Sequence, residues 1–267
     1  MPPSTAAVLS FRGDPGRLHS LPGGRGHAWA AGDVVLKPLD LSLEELAWQW
    51  KVLPGLHPQQ VRVAPPRRAI TGELATEGWS AWERLEGRHQ PGRWEEIVAA
   101  GDRFHRALAG VPRPSFLDTR TSPWAIADRI AWEEQPPGRY AKGRSVDRLL
   151  SLRGPVAGVS QCVHSDLTGN VLFAPGLPPG VIDFSPYWRP PVFATAVVVG
   201  DALLFEGATP ALAHAHRGET GFPQALVRAL LFRLISDAII HGYGADQPNW
   251  PARTGAIQVT ERLVRGD

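Results

Sequence analysis

The sequence is poor in cysteine, lysine and long apolar runs, and each shortage narrows what the protein can be. Its 267 residues contain one cysteine, Cys162, so no disulfide can close within the chain and stability must come from packing. A reducing cytoplasm is the compartment that this cysteine usage predicts. Of the 28 basic residues only three are lysines, and the others are arginines.

Hydrophobic runs long enough for a membrane are also lacking. The longest, Val192–Phe205, is too short to span a bilayer and contains Gly200 and Asp201. The N-terminus has no basic segment followed by an apolar stretch and a small-residue cleavage site, which a signal peptide requires. We therefore expect no membrane partner.

Charge of one sign does not dominate either. The formal net charge is +2 at pH 7, and the arginines are scattered rather than clustered, so no basic stripe predicts a nucleic-acid partner. With 43% hydrophobic residues, the composition is that of a globular protein with a sizeable core. Because lysine is rare, its settings are informative: Lys37 lies in an apolar strand pattern, whereas Lys51 and Lys142 do not.

The order of predicted elements divides the chain near Gly87. Before it, residues 33–37 predict a strand, Ser42 begins a helix with a capping-box pattern, and further extended segments follow. After it, helical periodicity dominates, in the segments 94–109, 123–134, 145–152, 193–205 and 223–241. We predict an α+β fold with a small β-rich N-lobe at 1–86 and a larger, mainly helical C-lobe at 87–267.

One β-like island in the helical part carries the polar residues that point to chemistry. Residues 163–173 read V-H-S-D-L-T-G-N-V-L-F, and V-I-D-F follows a Pro/Gly-rich turn. The apolar segments predict a hairpin with Asn170 and Asp183 near each other and Asp166 on the entering loop. A carboxylate and an amide oxygen suit Mg²⁺, which would satisfy polar groups at the edges of apolar strands. We predict that Asn170 and Asp183 hold Mg²⁺ and that Asp166 takes a proton from an acceptor hydroxyl.

The H-x-D-L…N loop at 164–170, followed by I-D-F at 182–184, resembles the aminoglycoside phosphotransferase and choline kinase-like branch of the protein-kinase-like fold. This resemblance implies that Asp166 is the catalytic base and adds His164, in the same loop, to the catalytic residues, with a structural histidine as the alternative for His164. It assigns the same metal ligands as the residue chemistry does. The loop departs from the kinase pattern, because three residues instead of four separate Asp166 from Asn170, and we expect Gly169 to absorb the tighter turn through positive φ.

The resemblance extends to the N-terminal part of the chain. V-V-L-K at 34–37 follows a glycine-rich turn and precedes a glutamate-bearing helix, which implies that Lys37 contacts the phosphates of ATP. An edge-strand lysine that guards against aggregation is the alternative. Glu45 is preferred over Glu44 as the ion-pair partner of Lys37, although a capping role at the third helical position is open for Glu45.

Three more parts of the nucleotide and loop machinery follow from the same resemblance. The glycine-rich turn supplies Gly23, Gly24 and Gly26 to the cofactor site, or forms a plain hairpin turn, since the full G-x-G-x-x-G is not present. At the hinge, backbone groups of Glu83 and Leu85 would hydrogen-bond adenine. Asp201, within an apolar run, resembles the structural aspartate that ties the catalytic loop to a C-lobe helix.

Together these residues predict a phosphotransferase that uses ATP and Mg²⁺ on a hydroxyl of a small polar molecule, such as a sugar, amino sugar or amino alcohol. Two alternatives stay open: a degenerate kinase-like protein that only binds a nucleotide or metabolite, and a metal-dependent phosphoesterase. The presumed acceptor segments, 115–160 and 185–225, mix carboxylates with arginines, so a pocket for polycationic aminoglycosides is not expected. The acceptor, the choice of ATP or GTP and the oligomeric state are left open.

Overall fold

Strands are concentrated before residue 84 and helices after it, in a computed structural model that describes residues 1–22, 27–58, 60–138, 141, 143–242 and 250–267. The helices of this part of the chain are α1 (Thr5–Ser10), α2 (Leu43–Val52), α3 (Trp94–Leu108), α4 (Pro123–Ala131), α5 (Arg144–Ser151), α6 (Val192–Phe205), α7 (Pro210–Ala215), α8 (Phe222–His241) and α9 (Trp250–Arg265). The strands are β1 (Leu18–Ser20), β2 (Trp29–Ala31), β3 (Val34–Pro38), β4 (Arg62–Val63), β5 (Pro66–Arg67), β6 (Ala75–Thr76), β7 (Trp79–Glu83), β8 (Gln161–His164), β9 (Val171–Ala174), β10 (Leu177–Val181) and β11 (Pro186–Arg189).

The largest sheet is antiparallel and has the strand order β1-β2-β3-β7-β5, with β6 also paired to β7. Because side chains alternate across a strand, Val34 and Leu36 share one face of β3 and Lys37 lies on the other. Val34 and Leu36 are fully buried and pack with Val8 and Phe11 of the α1 region. The N-terminal helix therefore closes one face of the sheet, and Lys37 belongs to the opposite face.

The predicted hairpin is confirmed as β9 and β10, which pair antiparallel with Val171 opposite Val181. Its second strand begins earlier than predicted, since Leu177 already pairs with Ala174. That strand also ends earlier, at Val181, and Asp183 then takes φ +54°, a left-handed conformation that interrupts extended pairing. The break turns Asp183 out of the strand alternation.

Strand β4 pairs in parallel with β10, so a segment of the predicted N-lobe is hydrogen-bonded to the hairpin of the predicted C-lobe. The division at residues 86 and 87 stays a prediction. The sequence pattern predicts most long elements, although α4 ends at Ala131 rather than 134. It does not predict β1, β2, β5, β8, β11, α7 or α9, and the strands among these have only two to four residues, too few for a clear alternation.

Two apolar helices, α6 and α8, form the centre of the helical part. The α6 residues from Phe193 to Leu204 are buried without exception, and α8 packs against α4, α6 and α9. A helix that is apolar on all sides is typical of a buried core position. No helix in the described part of the chain is long and apolar enough to cross a bilayer.

Gly87 lies where the chain leaves the sheet for the helices. It has φ +124°, and a Cβ atom there would lie 3.0 Å from the carbonyl carbon and oxygen of Phe173 on β9. The next residue, Arg88, exchanges two backbone hydrogen bonds with Phe173, at 3.1 and 2.9 Å. The linker is thereby fastened to the hairpin, and only glycine suits both the conformation and the close approach.

Replacing Gly87 with alanine is expected to lower the free energy of unfolding by about 1–3 kcal/mol through backbone strain, and further because β9 must move. Gly72→Ala is the matched control, because Gly72 has φ +98° but a Cβ atom there would meet nothing within 4 Å. Denaturant unfolding of both variants measures the difference. Equal losses would show that the approach to Phe173 contributes nothing.

Candidate active site

The imidazole of His164, at the end of β8, joins the loop of Asp166 to the segment of Asp183. His164 is fully buried, and its Nε2 lies 3.1 Å from the carbonyl oxygen of Ile182. Its Nδ1 accepts from the backbone N–H groups of Asp166 at 3.3 Å and Ser185 at 3.4 Å. These partners require a neutral ring with its proton on Nε2.

A catalytic role of His164 stays a prediction, and the hydrogen bonds of its ring favour a positioning role. Both ring nitrogens are engaged with backbone groups, and burial lowers the pKa of His164, so the ring has no free atom with which to move a proton in the cleft. His164 thereby positions the two loops that carry Asp166 and Asp183.

A second buried histidine supports the first. Nε2 of His105, on α3, accepts the backbone N–H of His164 at 3.0 Å. Burial, with a smaller contribution from His164, lowers the pKa of His105 from 6.5 to about 3. Helix α3 and the loop of Asp166 are thus joined through two neutral imidazoles.

Asp166 lies on the loop after β8, with its side chain 43% exposed. The amide Nδ2 of Asn170 donates to the Asp166 backbone carbonyl at 2.7 Å and to its Oδ2 at 3.3 Å. Gly169 has φ +82°, so the expected tightening of the short loop at Gly169 is confirmed. The shorter loop still brings Asn170 to the side chain of Asp166.

Lys37 and Asp183 meet across the gap between the large sheet and the hairpin. Lys37 Nζ lies 2.7 Å from Asp183 Oδ1, and 5.4 Å from the ring centroid of Trp82. The side chain of Asp183 is 54% exposed and that of Lys37 is 22% exposed, so the pair borders solvent. Asp183 keeps its left-handed backbone, a conformation that aspartate tolerates better than most residues.

The predicted pairing of Lys37 with Glu45 is wrong. Glu45 is buried, and its carboxylate forms a bidentate ion pair with Arg120, including an Nε–Oε2 contact of 3.1 Å. Glu44 instead accepts from Ser115 Oγ at 2.8 Å. A planar guanidinium satisfies both oxygens of a buried carboxylate, whereas the ammonium of Lys37 lies on Asp183.

The start of α2 follows its capping pattern only in part. The Oγ of Ser42 accepts the backbone N–H of Glu45 at 3.1 Å, as a capping box requires. The Glu45 side chain is engaged with Arg120, whose Nη1 also donates to the Pro186 carbonyl at 2.7 Å. Gln49 Nε2, one turn along α2, donates to the Phe184 carbonyl at 3.0 Å. Helix α2 is therefore joined to the segment that follows Asp183.

The remaining predicted nucleotide contacts are described in part. Gly23, Gly24 and Gly26 lie outside the described residues. Glu83 is the last residue of β7, and its N–H donates to the Pro65 carbonyl at 3.0 Å. Leu85 packs over Gly180 of the hairpin, where a Cβ would lie 2.9 Å from Leu85 Cδ1. Adenine bonding by the Glu83 and Leu85 backbones stays a prediction.

Apolar surface flanks the Lys37–Asp183 pair on both sides of the gap. Val35 shares a face of β3 with Lys37 and is half-buried. On the hairpin, Leu172 is half-buried and alternates with the core residues to either side of it, so it faces away from the core. Ile182 continues that face, because its N–H bonds to the Asn170 carbonyl at 3.0 Å. Both strands therefore present partly exposed apolar side chains near the site.

Arg233 on α8 is a charged residue of the site that the sequence pattern does not predict. Its Nε and Nη2 each lie 2.6 Å from an oxygen of Asp201, and Nη2 also lies 2.6 Å from Oδ1 of Asp166. Burial acts to lower the pKa of Arg233, but the attraction of Asp201 and Asp166 outweighs it and raises that pKa. Asp201 is thus joined to the loop of Asp166 through Arg233, and the side chain of Thr168, on the same loop, also acts on the Asp201 carboxylate.

An open cleft of about 320 Å³ borders Asp166. One face of α8 lines it with residues spaced i, i+3, i+4 and i+7, namely Arg233, Ser236, Asp237 and Ile240. The other walls contain Trp124, Thr168, Asp201 and Phe205. The polar residues Arg233, Ser236 and Asp237, at helical spacing in the second half of a largely apolar helix, are the signal that could have identified this face from the sequence.

The charges of the cleft are largely paired. Asp166 and Asp201 share Arg233, and Asp237 pairs with Arg253 of α9 at 3.0 Å. Phe205 is 61% exposed. The cleft thus offers paired charges, hydroxyl groups and apolar surface rather than a set of bare carboxylates.

Two predicted side chains, Asn170 and Asp183, offer oxygen atoms to a cation. Within the described ranges, no group of three or more His, Cys, Asp and Glu side chains is placed to hold a metal. Asn170 uses Nδ2 for its bonds to Asp166, which directs the amide oxygen elsewhere, and the Asp183 carboxylate is more than half exposed. An amide oxygen and one carboxylate suit Mg²⁺, which keeps waters and takes phosphate oxygens as its other ligands.

Comparison with known proteins identifies the fold. No protein-family model and no curated protein matches the chain. Among solved structures, a thermostable mutant of aminoglycoside phosphotransferase APH(4)-Ia in a ternary complex with AMP-PNP and hygromycin B is 12% identical, with a TM-score of 0.56 and 93% of each chain covered. An aminoglycoside phosphotransferase from Alicyclobacillus acidocaldarius is 14% identical, with a TM-score of 0.59 over 99% of this chain and 93% of that one.

Spectinomycin phosphotransferase APH(9)-Ia, in complex with ADP and spectinomycin, is also similar, at 14% identity and a TM-score of 0.54 over 93% of this chain and 91% of that one. These likenesses cover nearly the whole of each chain. They show that the protein has the α+β, kinase-like fold of the aminoglycoside phosphotransferases, and at this identity they show the fold alone.

The two neutral histidines predict that stability falls as the pH is lowered. In the unfolded chain each histidine takes up a proton near pH 6.5. In the folded protein the pKa of both side chains is lower, and that of His105 is about 3. The stability they contribute is therefore present above pH 6.5 and is lost as the pH falls toward the folded pKa. For His105 the loss is about 3 kcal/mol over the first two pH units.

Denaturant unfolding between pH 7.5 and 4.5 measures this dependence. His105→Gln is expected to be less stable than the wild type at pH 7.5 but to lose less stability on acidification, because one protonation linkage has been removed. Carboxylates are common to both proteins, so the difference between the two slopes isolates the histidine. Identical slopes would contradict the assignment of a neutral His105.

Proposed function

We propose that this chain is an ATP- and Mg²⁺-dependent phosphotransferase that acts on a hydroxyl group of a small polar molecule. The observation that carries the proposal is the convergence of the predicted site residues from three segments. Lys37 Nζ lies 2.7 Å from Asp183, and Asn170 donates to Asp166 on the adjoining loop. The similar phosphotransferases with AMP-PNP or ADP bound support a nucleotide as the phosphate donor.

The metal and phosphate part of the site would be formed by Asp183, Asn170 and Lys37. Asp183 and Asn170 are the residues that would hold Mg²⁺, which, when bound, neutralises charge on the transferring phosphates. Lys37 supplies a compact ammonium next to that carboxylate and would exchange part of its contact with Asp183 for phosphate oxygens. The nucleotide base would lie between the half-buried Val35 and Leu172, beside the hinge at Glu83 and Leu85.

Asp166 would accept the proton of the acceptor hydroxyl. Its Oδ1 is held by Arg233 and its Oδ2 by Asn170, yet each carboxylate oxygen has a second lone pair with which to accept a proton. The side chain is 43% exposed and borders the open cleft, so an acceptor can reach it. Phosphoryl transfer requires mainly positioning and charge neutralisation, which these residues supply.

The acceptor would bind in the cleft beside α8. The carboxylates there are paired with Arg233 and Arg253, so a dense polycation would have to displace existing ion pairs. Exposed Phe205 supplies apolar surface for a ring. These contacts favour a small hydroxylated molecule of low charge as the acceptor. The proposed division of the chain into an N-lobe at 1–86 and a C-lobe at 87–267 would place this cleft in the C-lobe.

The short loop does not favour a protein that only binds nucleotide. The degenerate alternative is supported by the short loop and by the incomplete glycine motif, whose residues lie outside the described part of the chain. Gly169 at φ +82° nevertheless lets the Asn170 amide reach Asp166. The phosphoesterase alternative would leave the ion-paired Lys37, the hinge and the apolar gap without a role. Transfer from ATP uses all of them.

Incubation with Mg-ATP and a polar metabolite extract is expected to yield a new phosphorylated product. Asp166→Asn should lower the turnover by about 10²–10⁴-fold, because the amide cannot accept a proton, and Asp183→Asn should abolish product through loss of the metal carboxylate. Mass spectrometry of the extract before and after incubation identifies the acceptor.

Asp147→Asn is the matched control, because Asp147 is an exposed aspartate on α5, and it should turn over like the wild type. Circular dichroism and denaturant unfolding check that each variant is folded. Wild-type turnover by folded Asp166→Asn or Asp183→Asn would overturn the proposed function, as would nucleotide binding without any product.

The rare lysine in β3 can be tested against a second lysine on the next element. Lys37→Met should raise the KM for ATP and should lower kcat by at least about tenfold. The reason is that the variant lacks the positive charge that the Lys37 ammonium brings to the phosphates. Lys51→Met, at an exposed position on α2, should leave both constants unchanged. Equal effects of the two substitutions would contradict a phosphate contact and would favour the alternative of an edge-strand lysine for Lys37.

A further inference from the structure

Arg233 lies between two carboxylates with different surroundings. Asp201 is 5% exposed, whereas Asp166 is 43% exposed, although both lie in the walls of the cleft. The guanidinium between them is 13% exposed and uses Nε and Nη2 for Asp201, with Nη2 shared by Asp166 Oδ1 at 2.6 Å. One arginine therefore connects a buried anchor to the exposed carboxylate.

We propose that Arg233 is a positioning residue for the base, which holds the Asp166 carboxylate in the orientation that meets the acceptor hydroxyl. This inference rests on the proposed phosphotransfer function. It adds a residue from α8, outside the loop and strand motifs, and gives Asp201 the role of fixing the guanidinium plane.

The geometry supports positioning because two contacts, one to each oxygen, leave the Asp166 carboxylate little freedom to rotate. The two parallel bonds to Asp201 fix the plane of Arg233, as bidentate arginine–carboxylate pairs do. Arg233 then holds Oδ1 of Asp166, and Asn170 holds Oδ2 at 3.3 Å. Without these contacts an exposed aspartate would sample several rotamers, and the correct one would be populated only part of the time.

A purely structural role would not need the contact with Asp166, because the pair between Arg233 and Asp201 joins α8 to α6 without it, beside the apolar packing of the two helices. Arg228, on the same helix, is an example of a purely structural arginine. It is 4% exposed, and its Nη2 pairs with Glu133 Oε2 at 3.1 Å. Arg228 is therefore the matched control for any general effect of altering a buried arginine on α8.

The first test compares Arg233→Lys and Arg228→Lys in phosphate transfer from Mg-ATP to the acceptor found in the extract. Lysine keeps the charge but cannot reproduce the planar, bidentate contact. Arg233→Lys should lower kcat at least about tenfold with the KM for ATP unchanged, since the nucleotide contacts are elsewhere. Arg228→Lys should lower thermal stability but leave kcat within about twofold.

A double-mutant cycle separates action through Asp166 from any independent effect. If Arg233 works by orienting the base, Arg233→Lys should cause no further loss in an Asp166→Asn background, so the two effects are non-additive. Additive losses, or a folded Arg233→Lys variant with wild-type kcat, would overturn the proposal. Asp201→Asn, which loosens the anchor but keeps the arginine, should give a smaller loss of kcat than Arg233→Lys.

A readout without turnover distinguishes failure of this inference from failure of the proposed function. Carboxylates can be labelled with a carbodiimide and glycinamide, and the labelling rate of Asp166 can be followed by peptide mass spectrometry. Loss of the guanidinium in Arg233→Lys should increase that rate several-fold relative to wild type and to Arg228→Lys. If wild type labels slowly but transfers no phosphate, the proposed function fails and the positioning contact stands; an unchanged rate overturns the contact itself.

Discussion

The interaction on which the site depends is the set of hydrogen bonds around the neutral imidazole of His164. One buried ring accepts from the backbone of Asp166 and Ser185 and contacts the carbonyl of Ile182. A protonated ring could not accept these bonds, and a non-polar side chain would leave buried N–H groups without partners. This ring holds both the loop of Asp166 and the segment of Asp183. The distance between the two segments is therefore fixed by a buried side chain and not by contacts within the cleft.

Around this neutral centre, charged contacts join elements that are distant in sequence. Arg120 joins α2 to the backbone after Asp183 through Glu45 and Pro186, and Arg233 joins α8 to the loop of Asp166. Planar guanidinium groups suit these sites because each has to satisfy two acceptors at once. The abundance of arginine, which indicated no partner through net charge, thus has a structural use, and Lys37 is the exception where a single carboxylate is met by an ammonium.

Local patterns in the sequence predict local structure, but they do not predict which side chains from distant parts of the chain form ion pairs. The hairpin of β9 and β10, the cap at Ser42 and the positive φ of Gly169 each depend on a few adjacent residues, and the structure confirms them. The partner of Glu45 lies 75 positions away in the sequence, so the pattern at the start of α2 contains no information about it. The same holds for Arg233, 67 positions from Asp166.

The difference also explains why the loop of Asp166 is easier to recognise than the cleft beside α8. The loop residues are close in sequence because one tight turn places the carboxylate of Asp166 beside the amide of Asn170, and a turn is a local structure. The cleft is assembled from α4, α6, α8 and this loop, and on the helices only the spacing of Arg233, Ser236, Asp237 and Ile240 leaves a trace in the sequence. A polar stripe that ends a buried helix costs burial energy unless its groups are paired or face a cleft, and here they do both. Arg228, on the same helix, is buried and paired outside the cleft, so the position of the stripe beside the cleft, and not its polarity alone, distinguishes it from a purely structural contact.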